Sequence, residues 1–319
     1  MPRRALCWML VALAAAVPRP ARAETITIGL VGAVSATHWP ICGLKQGFYA
    51  AADLKLATVF TLSSNALVQQ LAAGSLDAAL STGIVDPVYA IDKGAPIAVL
   101  RLEMVSPPYA LLAKPAIASI KELKGKTIMV DGPKGITRLY VERMLAANGI
   151  KTSEVEMLFA GATVARFSAL QSGAVDATIL LPPFNFFAES AGFRTLGLSV
   201  DYTPELPFTG AVVNRNWAMA HRDALERLIA VHNKSMAWFL DPHNRDAAIA
   251  LMVDATHQKS EDVAKAYDFL LGRKFFEADG KVSRTRMNAM LAALRELGDV
   301  TPALDVDRLL LPGVTQVTD

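Results

Sequence analysis

The sequence predicts an α/β protein built as two similar lobes, and three observations predict it. From Glu24 to about residue 216, short β-rich runs alternate with helical runs, the pattern of layered α/β domains. The motif L-x-x-G-x-x-D-A occurs twice, at Leu71–Ala78 and Leu170–Ala177, each time after a helical run and before an apolar one. With 319 residues, the chain is long enough for two domains of roughly 100–200 residues each.

Residues 1–23 read as a secretory signal. Arg3 and Arg4 open it, an apolar stretch runs from Ala5 to Val17, and Ala21-Arg22-Ala23 is a small-x-small cleavage pattern. The apolar stretch is about half the ~20 residues that a membrane span needs. Cleavage is expected after Ala23, so the mature chain starts at Glu24 and keeps one cysteine, Cys42. One cysteine excludes an internal disulfide and a cysteine-based zinc site.

The first lobe opens with strands at 25–31, 54–60, 78–82 and 95–103, and with helical segments around Pro40–Ala51 and at Ala66–Ala73. A second block repeats the scheme: strands at 126–131, 154–160 and 177–181, helices at Ile136–Asn148 and Val164–Ser172. In each copy of the motif, the glycine suits the left-handed residue that ends a helix, and the aspartate precedes an apolar run able to enter a sheet. Beyond about residue 216 the strands stop, and helices follow at His221–Leu240, Arg245–Ala255, Glu261–Leu271 and Arg284–Leu297. In the first of these, Leu225, Leu228, Ile229, His232, Met236 and Phe239 share one face. Ser106-Pro107-Pro108 and Pro204–Gly210 lie between strand-like runs. If the chain crosses at both, 107–211 is an inserted lobe, and 24–106 with 212–319 forms the other. Such a two-strand connection permits hinge closure.

Composition narrows the function classes. The chain is 52% apolar and 19% charged with a mean hydropathy of +0.31, which excludes general disorder. Its net charge of +2 reverses in the mature chain. Four of the 32 basic residues and none of the 30 acidic ones lie in 1–23, leaving a net charge near −2. A weakly acidic chain without a long basic run carries no electrostatic footprint for nucleic acid.

Catalytic and metal motifs are missing. His38, His221, His232, His243 and His257 form no metal-binding spacing, and a packed or solvated histidine is the ordinary reading. Gly125-Lys126-Thr127 resembles the end of a P-loop, but Ile120 stands where a glycine is needed and a strand follows where a helix is needed. Neither a dinucleotide fingerprint nor a nucleophile elbow occurs. The informative segments are strand-to-helix loops. Asp131-Gly-Pro-Lys134-Gly135-Ile-Thr137 offers free amides at a helix start, which favour an anion. Gly32–Thr37 with His38 and Trp39, Ser63-Ser64-Asn65 and Thr82-Gly83-Ile84-Val85 carry hydroxyls and amides that either cap helices or bond a ligand. In Pro182-Pro183-Phe184-Asn185-Phe186-Phe187, the Phe184 and Phe187 rings share a face that is either core or ligand wall.

The chain resembles the periplasmic substrate-binding proteins of the nitrate/sulfonate/taurine type, which share a fold with the NMT1/THI5-like proteins. The resemblance rests on TITIGL (25–30), His38-Trp39-Pro40, Lys45-Gln-Gly47-Phe48-Tyr49, both motif copies, Ser119–Lys126, Pro182-Pro183 and Gly192 before Thr195-Leu196, and it spans about 24–215. It implies a two-lobed periplasmic-binding-protein fold of type II, with two hinge crossings and the C-terminal helices packed on the first lobe. It also implies a periplasmic receptor, monomeric and without cofactor, that delivers a small solute to an inner-membrane ABC permease with a cytoplasmic ATPase. Carried over by position, the ligand residues are Ser35, His38, Trp39, Ser64, Asn65, Thr82 and Gly83 on the first lobe. On the second they are Lys134, Gly135, Thr137, Gly161, Pro183 and Phe184, with Phe208 as a further wall. No arginine stands in these loops to clamp a strong anion. The expected ligand is therefore a carboxylate, sulfonate or pyrimidine-like heterocycle with an apolar or aromatic portion, rather than nitrate. Two other classes stay open: an enzyme of the pyrimidine-synthase type, whose cysteine-rich motif is absent here, and a ligand-sensing subunit for a membrane kinase.

Overall fold

The computed structural model describes residues 23–32 and 39–319. The chain opens with β1 (Glu24–Val31), α1 (Pro40–Lys45), β2 (Leu54–Thr61), α2 (Ser64–Ala72), β3 (Ala78–Gly83), α3 (Val85–Asp92) and β4 (Ile97–Met104). It continues through β5 (Ala110–Ala113), β6 (Thr127–Val130), α4 (Ile136–Ala147), β7 (Glu156–Phe159), α5 (Thr163–Gln171), β8 (Ala177–Leu180), α6 (Phe184–Ser190) and β9 (Arg194–Leu198). The last part holds β10 (Thr209–Asn214), α7 (Arg215–Ala220), α8 (Arg222–Leu240), α9 (Arg245–Thr256), α10 (Ser260–Gly272), β11 (Val282–Ser283), α11 (Arg284–Glu296), α12 (Val306–Leu309) and β12 (Val317–Thr318).

Ten of these strands form two sheets of the same design. One has the order β2-β1-β3-β10-β4 and the other β7-β6-β8-β5-β9. In the first, β1 runs parallel to β2 and β3, and β10 runs antiparallel to β3 and β4. In the second, β6 runs parallel to β7 and β8, and β5 runs antiparallel to β8 and β9. The chain passes from the first sheet to the second between β4 and β5 and returns between β9 and β10. The strands that receive these two crossings, β5 and β10, are the two that run against their neighbours.

The duplicated motif explains this likeness atom by atom. Gly74 and Gly173 both adopt φ +78° and end α2 and α5. Asp77 then accepts a bond from the Thr27 N–H at 2.7 Å through Oδ2, and Asp176 accepts one from the Thr127 N–H at 3.1 Å. The aspartate N–H groups return bonds to Thr27 O and Thr127 O at 2.9 and 3.0 Å. Each aspartate thereby pins its strand beside the neighbouring parallel strand, so that Ala78 pairs with Ile28 and Ala177 with Ile128. A one-residue slip would turn every side chain to the wrong face.

Of the C-terminal helices, α8 packs on the first sheet, while α10 also reaches the second lobe, where Phe269 meets Phe186 edge to face at 5.6 Å. Leu225, Leu228, His232, Met236 and Phe239 of α8 are buried as their spacing predicts, while Ile229 is half-buried. Three local readings differ from the structure. The segment 40–51 is not one helix: α1 stops at Lys45, and Gly47 at φ +72° turns the chain before a short 3-10 turn at Ala50–Ala52. The sequence reading treats Thr82–Val85 as a strand-to-helix loop but assigns no helix after it, where α3 forms; Pro87 stands third in that helix, where its missing N–H has no partner to lose. After residue 216, strand structure does return as the two-residue pair β11 and β12. Among the described residues no helix is long and apolar enough to cross a membrane.

Candidate functional site

The carboxyl ends of the parallel strands in the two sheets face one another, which is where open α/β sheets hold ligands. On the first lobe, Ser63 caps α2 by accepting the Ala66 N–H at 3.2 Å. The next hydroxyl, Ser64 Oγ, lies 3.5 Å from Thr82 Oγ1 at the end of β3 and bonds to Asp86 in the first turn of α3. Burial pushes the Asp86 carboxyl up to about 6; the Ser64 bond opposes the shift, and Asp131 on the second lobe adds to it. At the rim the lobes touch: a Cβ on Gly161 would lie 3.4 Å from Ser63 Cβ and 3.7 Å from Leu62 O.

The Asp131–Thr137 loop forms the facing wall. The Asp131 N–H donates to Thr137 Oγ1 at 2.8 Å, and the Thr137 N–H donates to Asp131 Oδ2 at 3.4 Å. Gly135 is required here, since a Cβ would fall 1.9 Å from Asp131 Oδ1. That same Oδ1 is buried and has no hydrogen-bond partner among the described residues. Lys134 does not reach into the cleft. It pairs with Asp299 at 2.7 Å and lies 5.9 Å from the centre of the Tyr89 ring.

Behind Gly161 lies Arg166, 1% exposed. Its Nε donates to Ile179 O at 3.0 Å, Nη1 to Ala160 O and Gly161 O at 3.1 and 2.7 Å, and Nη2 to Thr163 Oγ1 at 3.1 Å. The guanidinium thus holds the rim loop in place. At the floor, Tyr109 from the first crossing meets Phe208 from the second, edge to face at 5.2 Å, and Tyr140 lies 5.9 Å from Tyr109. Burial raises both tyrosines, so they stay protonated donors.

The structure thus brings Ser64, Thr82, Gly83, Gly135, Thr137, Gly161 and Phe208 to the cleft edges or floor. Asn65 is exposed on α2 and accepts from Gln69 at 3.0 Å. Pro183 precedes α6, and Phe184 is half-buried on the second lobe against Phe167 and Phe187, at 5.7 Å from each. Trp39 is fully buried, with its ring 4.3 Å from that of His232 and its indole N–H unpartnered among the described residues. It belongs to the core instead of walling the cleft. Ser35 and His38 lie outside the described residues. Cys42 is buried, which pushes its thiol up to about 12 and leaves it inert at neutral pH.

Sequence reasoning missed Asp86, Arg166, Asn185 and Tyr109. Asn185, in the first turn of α6, is 1% exposed, and its Oδ1 has no partner among the described residues. The motif itself held the signal for two of them: Asp86 and Asn185 each stand nine positions after its aspartate.

A family model described as NMT1/THI5 like matches residues 38–245. The fold is similar to that of the periplasmic aliphatic sulphonate binding protein SsuA from Escherichia coli, with a TM-score of 0.71 at 19% identity over 91% of this chain and 98% of that one. It is similar also to the alkanesulfonate-binding protein SsuA from Xanthomonas axonopodis pv. citri bound to MOPS, with 0.72 at 18% over 94% and 100%. The periplasmic nitrate-binding protein NrtA from Synechocystis PCC 6803 gives 0.73 at 13% over 89% and 84%. At such identities the likeness is one of fold. No curated protein matches the sequence.

Proposed function

Because the chain belongs to the NMT1/THI5-like family, we propose that it is a solute-binding receptor, exported to the periplasm after cleavage behind Ala23, that serves an ABC permease and its ATPase. The lobes are 24–106 with 212–319, and 107–211. The observation that carries this reading is the pair of facing strand ends: hydroxyls and carboxylates from both sheets converge where the chain crosses twice. A solute touching both lobes binds the closed form better than the open one, and that differential affinity is what drives closure. Binding is the reading that needs only what the two lobes present, hydroxyls and acceptors at the facing strand ends. The ligand is a small organic solute with an apolar portion toward Tyr109 and Phe208.

Thermal unfolding against a broad library of small solutes tests this. A ligand at 100 times its Kd stabilises the native state by about 2.7 kcal/mol, so at least one solute should raise Tm by several degrees. A library without any stabilising solute contradicts the receptor reading.

A further inference from the structure

The two sheets place side-chain oxygen acceptors at equivalent points on opposite sides of the cleft. Asp86 follows Asp77 by nine residues, and Asn185 follows Asp176 by nine. Both occupy the second position of the helix leaving a central strand, α3 after β3 and α6 after β8. Asn185 is 1% exposed with its Oδ1 unpartnered among the described residues, and Asp131 Oδ1 beside the same strand ends is buried and unpartnered as well. Buried acceptors left without donors are rare and call for an explanation. A ligand that brings the donors supplies one.

Charge points the same way. Burial disfavours the ionised form of Asp86, and the nearby Asp131 adds to that effect from the other lobe. The cations beside them already have partners within the protein: Arg166 has three carbonyls and Thr163, with Tyr109 beside it; Lys134 has Asp299; and Arg138 has Glu142 and Pro133 O. Among the described residues, an anion entering the cleft meets two carboxylates and no unengaged cation. A ligand carrying N–H donors and positive charge satisfies the orphaned oxygens and relieves the carboxylate repulsion at once.

We propose that the cleft selects an organic cation or nitrogen base, with N–H groups accepted by Asp86 on one lobe and by Asp131 and Asn185 on the other. This rests on the receptor reading and narrows it. Of the solute classes the sequence admits, the nitrogen heterocycle is retained, and the carboxylate and sulfonate are set aside.

The test sorts the thermal-shift library by charge at pH 7.5 and includes benzamidine, benzamide, benzoate and benzenesulfonate as bodies matched in shape. The stabilising solutes should concentrate among cations and nitrogen bases. For the tightest of them, Asp86→Asn should weaken affinity by about 10–100-fold, the range for losing a charge-assisted hydrogen bond. The Tm of the ligand-free variant checks that it folds. Stabilisation confined to sulfonates or carboxylates, unchanged or strengthened by Asp86→Asn, overturns the ligand class and leaves the receptor standing. Stabilisation by no solute of any charge removes the receptor reading and this proposal with it.

Discussion

The two lobes share a framework down to single hydrogen bonds, yet they diverge in the residues it presents to the cleft. Asp77 and Asp176 each pin a strand to its neighbour through a threonine amide. Among the described residues only Asp176 also holds a cation, Lys114 at 2.9 Å, and these bonds keep its carboxyl below the usual range. Nine residues on, the first lobe presents a carboxylate at Asp86 and the second an amide at Asn185. Away from the cleft the lobes diverge further. The first buries a polar chain in which Tyr49 Oη lies 3.4 Å from His232 Nδ1 and His232 Nε2 lies 2.6 Å from Glu103 Oε1. The second buries Arg166 on backbone carbonyls. Where the copies agree, they set strand register; where they disagree, they set the chemistry of the cleft.

The largest expected effect breaks the comparison at the polar chain peculiar to the first lobe. Burial lowers the His232 pKa against the pull of Glu103, so the neutral ring donates from Nε2 to Glu103 and accepts from Tyr49. Replacing His232 by Ala leaves the fully buried Glu103 without that donor and opens a cavity, and should destabilise the protein by about 3–5 kcal/mol in urea unfolding. A loss below about 1 kcal/mol would show that water replaces the ring.

The next effect tests the shared framework. Asp77→Ala and Asp176→Ala each remove a carboxylate that accepts a strand amide, a bond worth about 1.5–3 kcal/mol. The two losses should agree within about 1 kcal/mol, because the Lys114 pair is partly exposed and contributes little. A much larger loss for Asp176 would make the lysine, and not the strand amide, the reason for that aspartate.

The smallest effect sharpens the difference at the cleft. Since the Asp86 carboxyl is raised to about 6 in the folded protein, the native state holds its proton more tightly than the unfolded chain does. Its contribution to stability is therefore present at low pH and lost as pH rises to about 6. Asp131 and Tyr89 are the titratable groups that couple to it, and Tyr89 is raised too far to titrate below neutrality. Ligand-free Asp86→Asn should match the wild type near pH 4 and exceed it by about 1–2 kcal/mol at pH 7. Equal stability at both pH values would place Asp86 in open solvent.

Much of the fold is legible in the sequence because it is local and repeated. The motif announces its helix end, its aspartate and its strand, and the alternation of runs places the sheets. The cleft is legible only as loops. Trp39 reads as a ligand wall, but an aromatic side chain beside a loop carries no mark of the face it turns to, and its ring packs against His232 in the core. Lys134 reads as the cation of the site, and its partner Asp299 lies far along the chain. Asp86 lies beyond Gly83 in a helix to which the sequence reading assigns no bounds, and Arg166 reads as an ordinary helical residue. Their roles arise from contacts between segments distant in sequence, which spacing does not encode.

Small-angle scattering with and without the tightest solute found by thermal shift tests most directly whether two lobes close on one ligand. The account predicts a smaller radius of gyration at saturation, and a weaker change in Asp86→Asn at the same solute concentration. A radius unchanged in the wild type at full occupancy would contradict it.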